Sequence, residues 1–304
     1  MAEFVKKTMG PPNIRAMSSN TLSDAYRDAI TIAYQYIGAS VASIDFVFGG
    51  KHFDTPIMAG PIGFPKDKTE NGVVGYARAV NEAGSIYWAT YHDPEDWKQI
   101  LSEGLAAVRV IKPLADMDKI LEEIRYDTEH GALAYAMDID HGIDAYGRQD
   151  GQGQAFAPKT VEELRRLNEA SPLPFFLKGV PSLHDALAAV EAGVAGIVVS
   201  GHNNRFPCAV PPLKMLPAIR EAVGDKLTIL VDGGMNTGYD VFKALALGAD
   251  GVLSARALCA AYVKEGEEGL TYKILEMTAE LKGAMGNTGS KDLEHINRDC
   301  LILP

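Results

Sequence analysis

The sequence predicts an α/β protein, a (β/α)8 TIM barrel with an N-terminal helix and hairpin and with C-terminal helices, in one domain spanning 1–304. Three observations carry this expectation. Eight short runs are apolar throughout, as strands of a parallel sheet covered on both faces must be. Between them lie amphipathic runs of helical period, several closed by the glycine that commonly stops a helix. Polar residues gather at the C-terminal ends of the apolar runs, where a barrel carries its chemistry. An open doubly wound sheet shares the alternation and is the alternative.

The elements follow in order. The first 50 residues stand outside the rhythm: LSDAYRDAITIAYQYIGAS reads as one helix over 22–40, and SIDFVFGGKHFDT as a hairpin suited to plug the barrel bottom. The strand runs are PIMAGPI (56–62), SIYWAT (85–90), AAVRVIK (106–112), ALAYAMDID (132–140), PFFLKG (174–179), GIVVSG (196–201), LTILVDGG (227–234) and GVLSA (251–255). The helical runs between them are NGVVGYARAVNEAG, PEDWKQILSEG, LADMDKILEEIRYDTEHG, TVEELRRLNEA, SLHDALAAVEAG, PPLKMLPAIREAVG and TGYDVFKALALG. Residues 257–304 add C-terminal helices and a Gly-rich turn at GNTGS.

With 304 residues, 47% hydrophobic and 23% charged, the chain has the composition of a globular protein. A net charge of −11 disfavours nucleic-acid and membrane-surface partners, both polyanions, while leaving room for a local basic pocket. Cys208, Cys259 and Cys300 form neither a disulfide framework nor a CxxC site, which suits a reducing cytoplasm. The opening MAEFVKKTMGPPNIR lacks the roughly 7–15-residue apolar stretch of a signal peptide. No apolar run reaches the roughly 18 residues of a membrane span.

The strand ends carry Trp88 and Thr90, Lys112, Asp138 and Asp140, Lys178, Ser200 and His202, Asp232, and Ser254 and Arg256. Lys178, leaving a buried strand, is either a lysine snorkelling to solvent or a fixed cation that stabilises developing negative charge. His202 and Arg205 are either an ordinary polar loop or a proton acceptor beside a two-pronged carboxylate clamp. DGGMNTGYDVFKALALGADG (232–251) has the spacing of a phosphate cradle, with glycines permitting close backbone approach and a helix starting near Thr237. A tight glycine turn is the plainer reading. HxH, HExxH and Cys/His clusters are missing from the sequence. Asp138, Asp140, His141 and Asp144 are too loosely patterned to predict a metal, so none is expected.

LKGVPSLHDALAAVEAGVAGIVVSGHNNR, ILVDGGMNTGYDVFKALALGADGVLSAR and ELKGAMGNTGSKDL, in that order through about 172–298, resemble the FMN-dependent α-hydroxy-acid oxidase and dehydrogenase family. PIMAGPIGF, YWAT, ALAYAMD and AYQYIGA resemble its earlier segments more weakly. The resemblance implies an FMN enzyme that oxidises a small carboxylate substrate, a 2-hydroxy acid, to the 2-oxo acid. In it Lys178 lies at the flavin N1/C2=O edge, His202 takes the hydroxyl proton, Asp138 orients the imidazole and Arg205 binds the substrate carboxylate. Tyr34 and Trp88 join the substrate site. Ala59, Gly60, Pro61, Thr90 and Ser200 line the flavin, and Asp232, Gly233, Gly234, Asn236, Ala255 and Arg256 surround the ribityl phosphate. A homo-oligomer, a tetramer, is implied as well.

The chain also departs from the family. Asn203 and Asn204 replace a glycine pair, Asn236 an arginine, Ala255 a glycine, and Val110 and Lys112 a glutamine and a tyrosine. The segments before strand one and between Asp138 and Lys178 are short. A type 2 isopentenyl-diphosphate isomerase, with the same fold and cofactor, and a flavin-binding protein without turnover are the rival readings.

Overall fold

The computed structural model describes residues 21–63, 71–90, 93–144, 146–149, 155–202, 205–206 and 208–304. The opening residues 1–15, Asn203 and Asn204 lie outside them. In chain order the elements are α1 (Thr21–Ala29), β1 (Thr31–Ile32), β2 (Phe46–Phe48), β3 (Lys51–Phe53), β4 (Ile57–Ala59), α2 (Gly72–Glu82), β5 (Tyr87–Ala89), α3 (Pro94–Ser102), β6 (Ala107–Ile111) and α4 (Met117–Glu129). There follow β7 (Ala134–Asp138), α5 (Val161–Glu169), β8 (Phe175–Val180), α6 (Leu183–Ala192), β9 (Gly196–Val199), α7 (Pro212–Val223), β10 (Thr228–Val231), α8 (Gly238–Ala246), β11 (Gly251–Ser254), α9 (Arg256–Gly286) and β12 (Leu301–Ile302).

Strands β4 to β11 pair in parallel and close into a barrel, with β11 returning to β4. All eight apolar runs are its strands, so the closed barrel stands and the open sheet falls away. Side chains alternate along each strand. One set, with Ile57, Ala107, Ile111, Leu177 and Ile229, packs outward against the helices. The other, with Met58, Trp88, Val108, Val110, Ala134, Ala136, Phe176, Val198, Leu230 and Leu253, fills the barrel interior.

The hairpin β2–β3 forms across Gly49 and Gly50, whose φ of 56° and 75° suit a tight turn that only glycine adopts readily. Phe48 stacks on Phe176 at 5.0 Å, and Phe46 reaches Gly251 at the start of β11, so the hairpin plugs the bottom as expected. The helix expected over 22–40 is corrected to Thr21–Ala29. Ile30, Thr31 and Ile32 are β-branched and lose rotamer freedom in a helix. Instead, Thr31 and Ile32 pair antiparallel with Ile302 and Leu301. The C-terminal helix is interrupted at Gly266, whose φ of 66° breaks the α conformation. No helix among the described residues is long and apolar enough to cross a membrane.

Candidate active site

The strand alternation builds the site. Two residues beyond the last inward-facing core side chain of a strand, the next inward position meets the rim. Starting from Met58, Trp88, Val110, Ala136, Phe176, Val198, Leu230 and Leu253, that step reaches Gly60, Thr90, Lys112, Asp138, Lys178, Ser200, Asp232 and Ala255. Seven of these eight were expected at the site. The eighth, Lys112, is read from the sequence as a strand-end residue without a role.

Trp88 sits one layer lower. It is 0% exposed, packs against Phe48 and Phe176, and donates its indole N–H to Met58 Sδ at 3.4 Å. Its expected place against a substrate is therefore corrected: the same parity that puts Thr90 at the rim buries Trp88 in the core. Tyr34 lies beyond the N-terminal helix, in the chain that follows β1. The helix that was to carry it stops at Ala29, and its neighbours are Tyr239, Cys300 and Tyr36.

Asp138 and Lys178 face one another in register on β7 and β8. Both are 2% exposed. Lys178 Nζ donates to Asp138 Oδ1 at 3.1 Å and lies 3.7 Å from Asp232 Oδ2. From the other side, Lys112 Nζ donates to Asp138 Oδ2 at 2.6 Å. Burial alone would push the Asp138 carboxyl up; Lys112 and Lys178 outweigh it and hold it well below the usual carboxylate range. Burial likewise opposes the charge on Lys178, and Asp138, Asp232 and Asp140 overcome it, raising the ammonium above the ordinary lysine value.

Asp138 was expected to hold the imidazole of His202, and the structure gives that place to Asp140. His202 Nδ1 lies 2.7 Å from Asp140 Oδ2. With both Asp138 oxygens taken by ammonium groups, the histidine turns to the next carboxylate. An ionised carboxylate only accepts, so Nδ1 carries the proton and Nε2 is left as the basic nitrogen. Burial pushes Asp140 up, but the His202 ring more than offsets it, leaving the carboxyl below its usual value. The backbone carbonyl of the same residue accepts from Arg205 Nε at 3.0 Å. Asp140 thus holds both His202 and Arg205.

The short 3-10 turn Ile139–His141 lifts Asp140 over β8. Gly179, with φ 86°, makes room: a Cβ there would lie 2.6 Å from Asp140 Cγ. Ser200 Oγ accepts from the His202 N–H at 3.0 Å, and His202 itself holds a φ of 42°, a left-handed conformation few non-glycines adopt. His141 packs edge-on against His202 with ring centroids 4.9 Å apart, and burial pushes its pKa down to about 4, so it is neutral near pH 7. Asp138, His141 and His202 bring potential ligand atoms within 4.8 Å of one another. Two ammonium groups already engage Asp138 there and would repel a cation.

The three stretches expected to hold the cofactor meet on one side of this cluster. Gly60 donates to the Ser254 carbonyl at 2.8 Å, and Ser254 Oγ donates to the Met235 carbonyl at 2.7 Å. This ties the Ala59–Pro61 strand end, the Asp232–Asn236 turn and Ala255–Arg256 into one wall. Gly233 and Gly234 turn at φ 94° and 88°. Asp232 Oδ1 is buried without a hydrogen-bond partner among the described residues, beside Lys178, as a carboxylate awaiting a polar ligand would be. Arg256 is exposed at the start of α9.

The expected anion seat at the α8 N-terminus is corrected. Asp240 Oδ2 accepts from the N–H groups of Asn236 and Thr237, each at 3.1 Å, and Glu280 Oε2 from that of Gly238 at 2.7 Å. Two carboxylates already satisfy that helix start. The close approach at Gly234 comes from Arg27 of α1, which donates to its carbonyl at 2.6 Å and pairs with Asp240 at 3.2 Å. In this wall the Gly233–Gly234 turn, Asp232 and Arg256 are the residues that would hold FMN, since the start of α8 is already occupied.

The profile of the FMN-dependent dehydrogenase family matches residues 144–303. The chain belongs to this family. The 4-hydroxymandelate oxidase of Amycolatopsis orientalis is 29% identical over 279 residues, 80% of this chain and 78% of that protein. The L-lactate dehydrogenase of Caulobacter vibrioides is 41% identical over 140 residues, but these make up 46% of this chain and only 37% of that enzyme. A mandelate oxidase variant solved with an FMN monooxide adduct superposes with a TM-score of 0.84 at 26% identity, covering 100% of this chain and 98% of that one. Another variant, solved with (S)-mandelic acid, also gives 0.84, at 25% identity, covering 99% and 96%. The family is FMN-dependent and oxidises 2-hydroxy acids, and this chain is an oxidoreductase of that kind.

Proposed function

We propose that the protein oxidises a small 2-hydroxy acid to its 2-oxo acid, with His202 as general base, Arg205 as carboxylate clamp and Lys178 at the N1 edge of the flavin. The observation that supports this best is the double role of Asp140, which fixes the base and the clamp from one residue. FMN supplies the acceptor for the hydride that leaves the substrate carbon.

The protein's own residues do the rest. Arg205, anchored through Nε, holds the plane of its guanidinium against the substrate carboxylate. His202 Nε2 takes the hydroxyl proton as the C=O bond forms, and the positive charge that develops on its ring is stabilised by Asp140. Lys178 is a buried, permanently charged cation placed to stabilise negative charge on an electron-accepting ring. The wall built by Gly60, Asp232–Gly234 and Ala255–Arg256 holds the cofactor.

Anaerobic addition of glycolate, lactate, mandelate and longer 2-hydroxy acids to the FMN-loaded protein tests the reading. At least one should bleach the flavin absorbance. His202→Gln should keep FMN and slow that bleaching by about 10²- to 10⁴-fold, the scale for losing a positioned base. A yellow protein that none of the panel reduces would instead be a flavin binder without turnover.

A further inference from the structure

Lys112 is the charged residue at the rim with no role so far. It comes from β6, on the far side of Asp138 from Lys178, and is 12% exposed at its side chain. Its ammonium binds Asp138 Oδ2 at 2.6 Å, while Lys178 binds Oδ1 of the same carboxylate at 3.1 Å. One carboxylate therefore serves two cations. The groups facing Asp138 are Lys112, Lys178, His202 and His141, and those facing Lys178 are Asp138, Asp232 and Asp140. Without Lys112, three carboxylates would surround a single lysine.

We propose that Lys112 is a positioning residue that tunes the flavin through Asp138: by taking one oxygen of that carboxylate, it leaves Lys178 with more of its positive charge to direct at the cofactor. The inference rests on the placement of Lys178 at the flavin N1 edge. It follows from charge balance. Lys178 and Asp138 alone are a neutral pair, whereas Lys112, Asp138 and Lys178 together carry one net positive charge, and with Oδ2 held by Lys112 only Oδ1 is left to draw the Lys178 ammonium toward β7. Both contacts are of hydrogen-bond length, 2.6 Å to Lys112 and 3.1 Å to Lys178, so the carboxylate is divided between the two ammonium groups, one oxygen each. In a site this buried the difference is poorly screened by solvent.

Sulfite titration tests it. The sulfite lone pair forms a reversible bond to flavin N5, and the displaced electron pair settles as negative charge along the N1–C2=O edge, so the affinity reads the positive field there without any substrate. In the FMN-loaded protein, Lys112→Met should weaken sulfite binding about tenfold and lower the two-electron midpoint potential correspondingly, by about 30 mV for each factor of ten. Lys112→Arg should restore most of both. In an Asp138→Asn background, Lys112→Met should have little further effect, because the relay is already cut. Flavin absorbance and circular dichroism identify folded, loaded variants, and Lys112→Gln replaces Lys112→Met if the latter does not fold.

Sulfite affinity and potential within twofold of the parent's would overturn the inference. So would a loss confined to substrate KM, which would make Lys112 a substrate ligand, or an equal loss in the Asp138→Asn background. A parent protein that takes up no FMN would overturn the reading beneath it, a result separate from these.

Discussion

Replacing Asp140 and Asp138 in turn by Asn separates the two carboxylates, which stand two residues apart in sequence and differ in what they hold. Asp140→Asn removes the charge at 2.7 Å from His202 Nδ1 and leaves the backbone carbonyl that anchors Arg205. Two unit charges about 4 Å apart near a protein surface interact by about 4 kcal/mol. An amide dipole recovers part of this, so the imidazolium that forms as the base takes its proton loses about 2–4 kcal/mol, or about 30- to 1,000-fold in rate. KM should change little, because the clamp keeps its anchor. Asp138→Asn instead strips the carboxylate from Lys112 and Lys178. Breaking a buried pair in this way costs about 3–5 kcal/mol, so its signature is a lower melting temperature and weaker FMN retention. The assay is anaerobic stopped-flow reduction with the best substrate of the panel, together with thermal melts and FMN content. If Asp138→Asn slowed reduction while keeping stability and flavin, and Asp140→Asn reduced at the parent rate, Asp140 would not support the base.

Three further outcomes are expected. Arg205→Lys keeps the charge but loses the planar fork and the Nε contact to Asp140, so KM should rise about tenfold or more while FMN affinity stays within twofold; equal losses of both would make Arg205 structural. Gly179→Ala, at φ 86° and 2.6 Å from Asp140 Cγ, should push Asp140 off His202 and slow flavin reduction by about a hundredfold with FMN still bound, and parent-like turnover would show that Asp140 need not be held there. Asp127 is fully buried between Trp97 and Arg109; burial, partly offset by Arg109 and Trp97, pushes its pKa up to about 6. Its stabilising contribution is therefore complete below the unfolded value of about 4 and is lost as pH rises through 6, so in urea unfolding Asp127→Asn should gain on the parent by up to about 3 kcal/mol between pH 4 and 7, and a pH-independent difference would refute this.

The barrel was legible because its signal is repeated. Eight apolar runs with seven helical runs between them leave few arrangements that bury every apolar face, and the β2–β3 hairpin announced itself through Gly49–Gly50. The N-terminal helix was not legible beyond Ala29, because Ile30–Ile32 continue a helical apolar pattern. Only the distant partner strand Leu301–Ile302 shows that they are extended. Strand-end position located Lys178, Asp138, His202 and Asp232. It could not separate Trp88 from Thr90, since both close the same run. The two share one parity, and only the layer separates them: Trp88 pairs with Val108 in the barrel interior, which leaves Thr90 one step higher at the rim. The start of α8 looked like an anion seat from its glycines and Thr237, but Glu280, which fills it, comes from α9, 42 residues on.

The move of the histidine's partner from Asp138 to Asp140 follows from the strand neighbours of Asp138. Strand β7 lies between β6 and β8, and the inward rim positions on those neighbours are Lys112 and Lys178. A carboxylate fixed between two ammonium groups gains a charge-assisted hydrogen bond on each oxygen, and reaching for a neutral imidazole from β9 would give up one of them. The resemblance to the family puts a tyrosine at the position of Lys112, and a phenol donates a hydrogen bond to a carboxylate but brings no positive charge. With Lys112 present, His202 needs another acceptor, and the turn Ile139–His141 brings one over Gly179 at 2.7 Å. Lys112, Asp140 and Gly179 are thus parts of one rearrangement. It keeps a carboxylate against the imidazole while Asp138 goes to the lysines, so the base and the buried cation of the proposed reaction each have a carboxylate partner of their own.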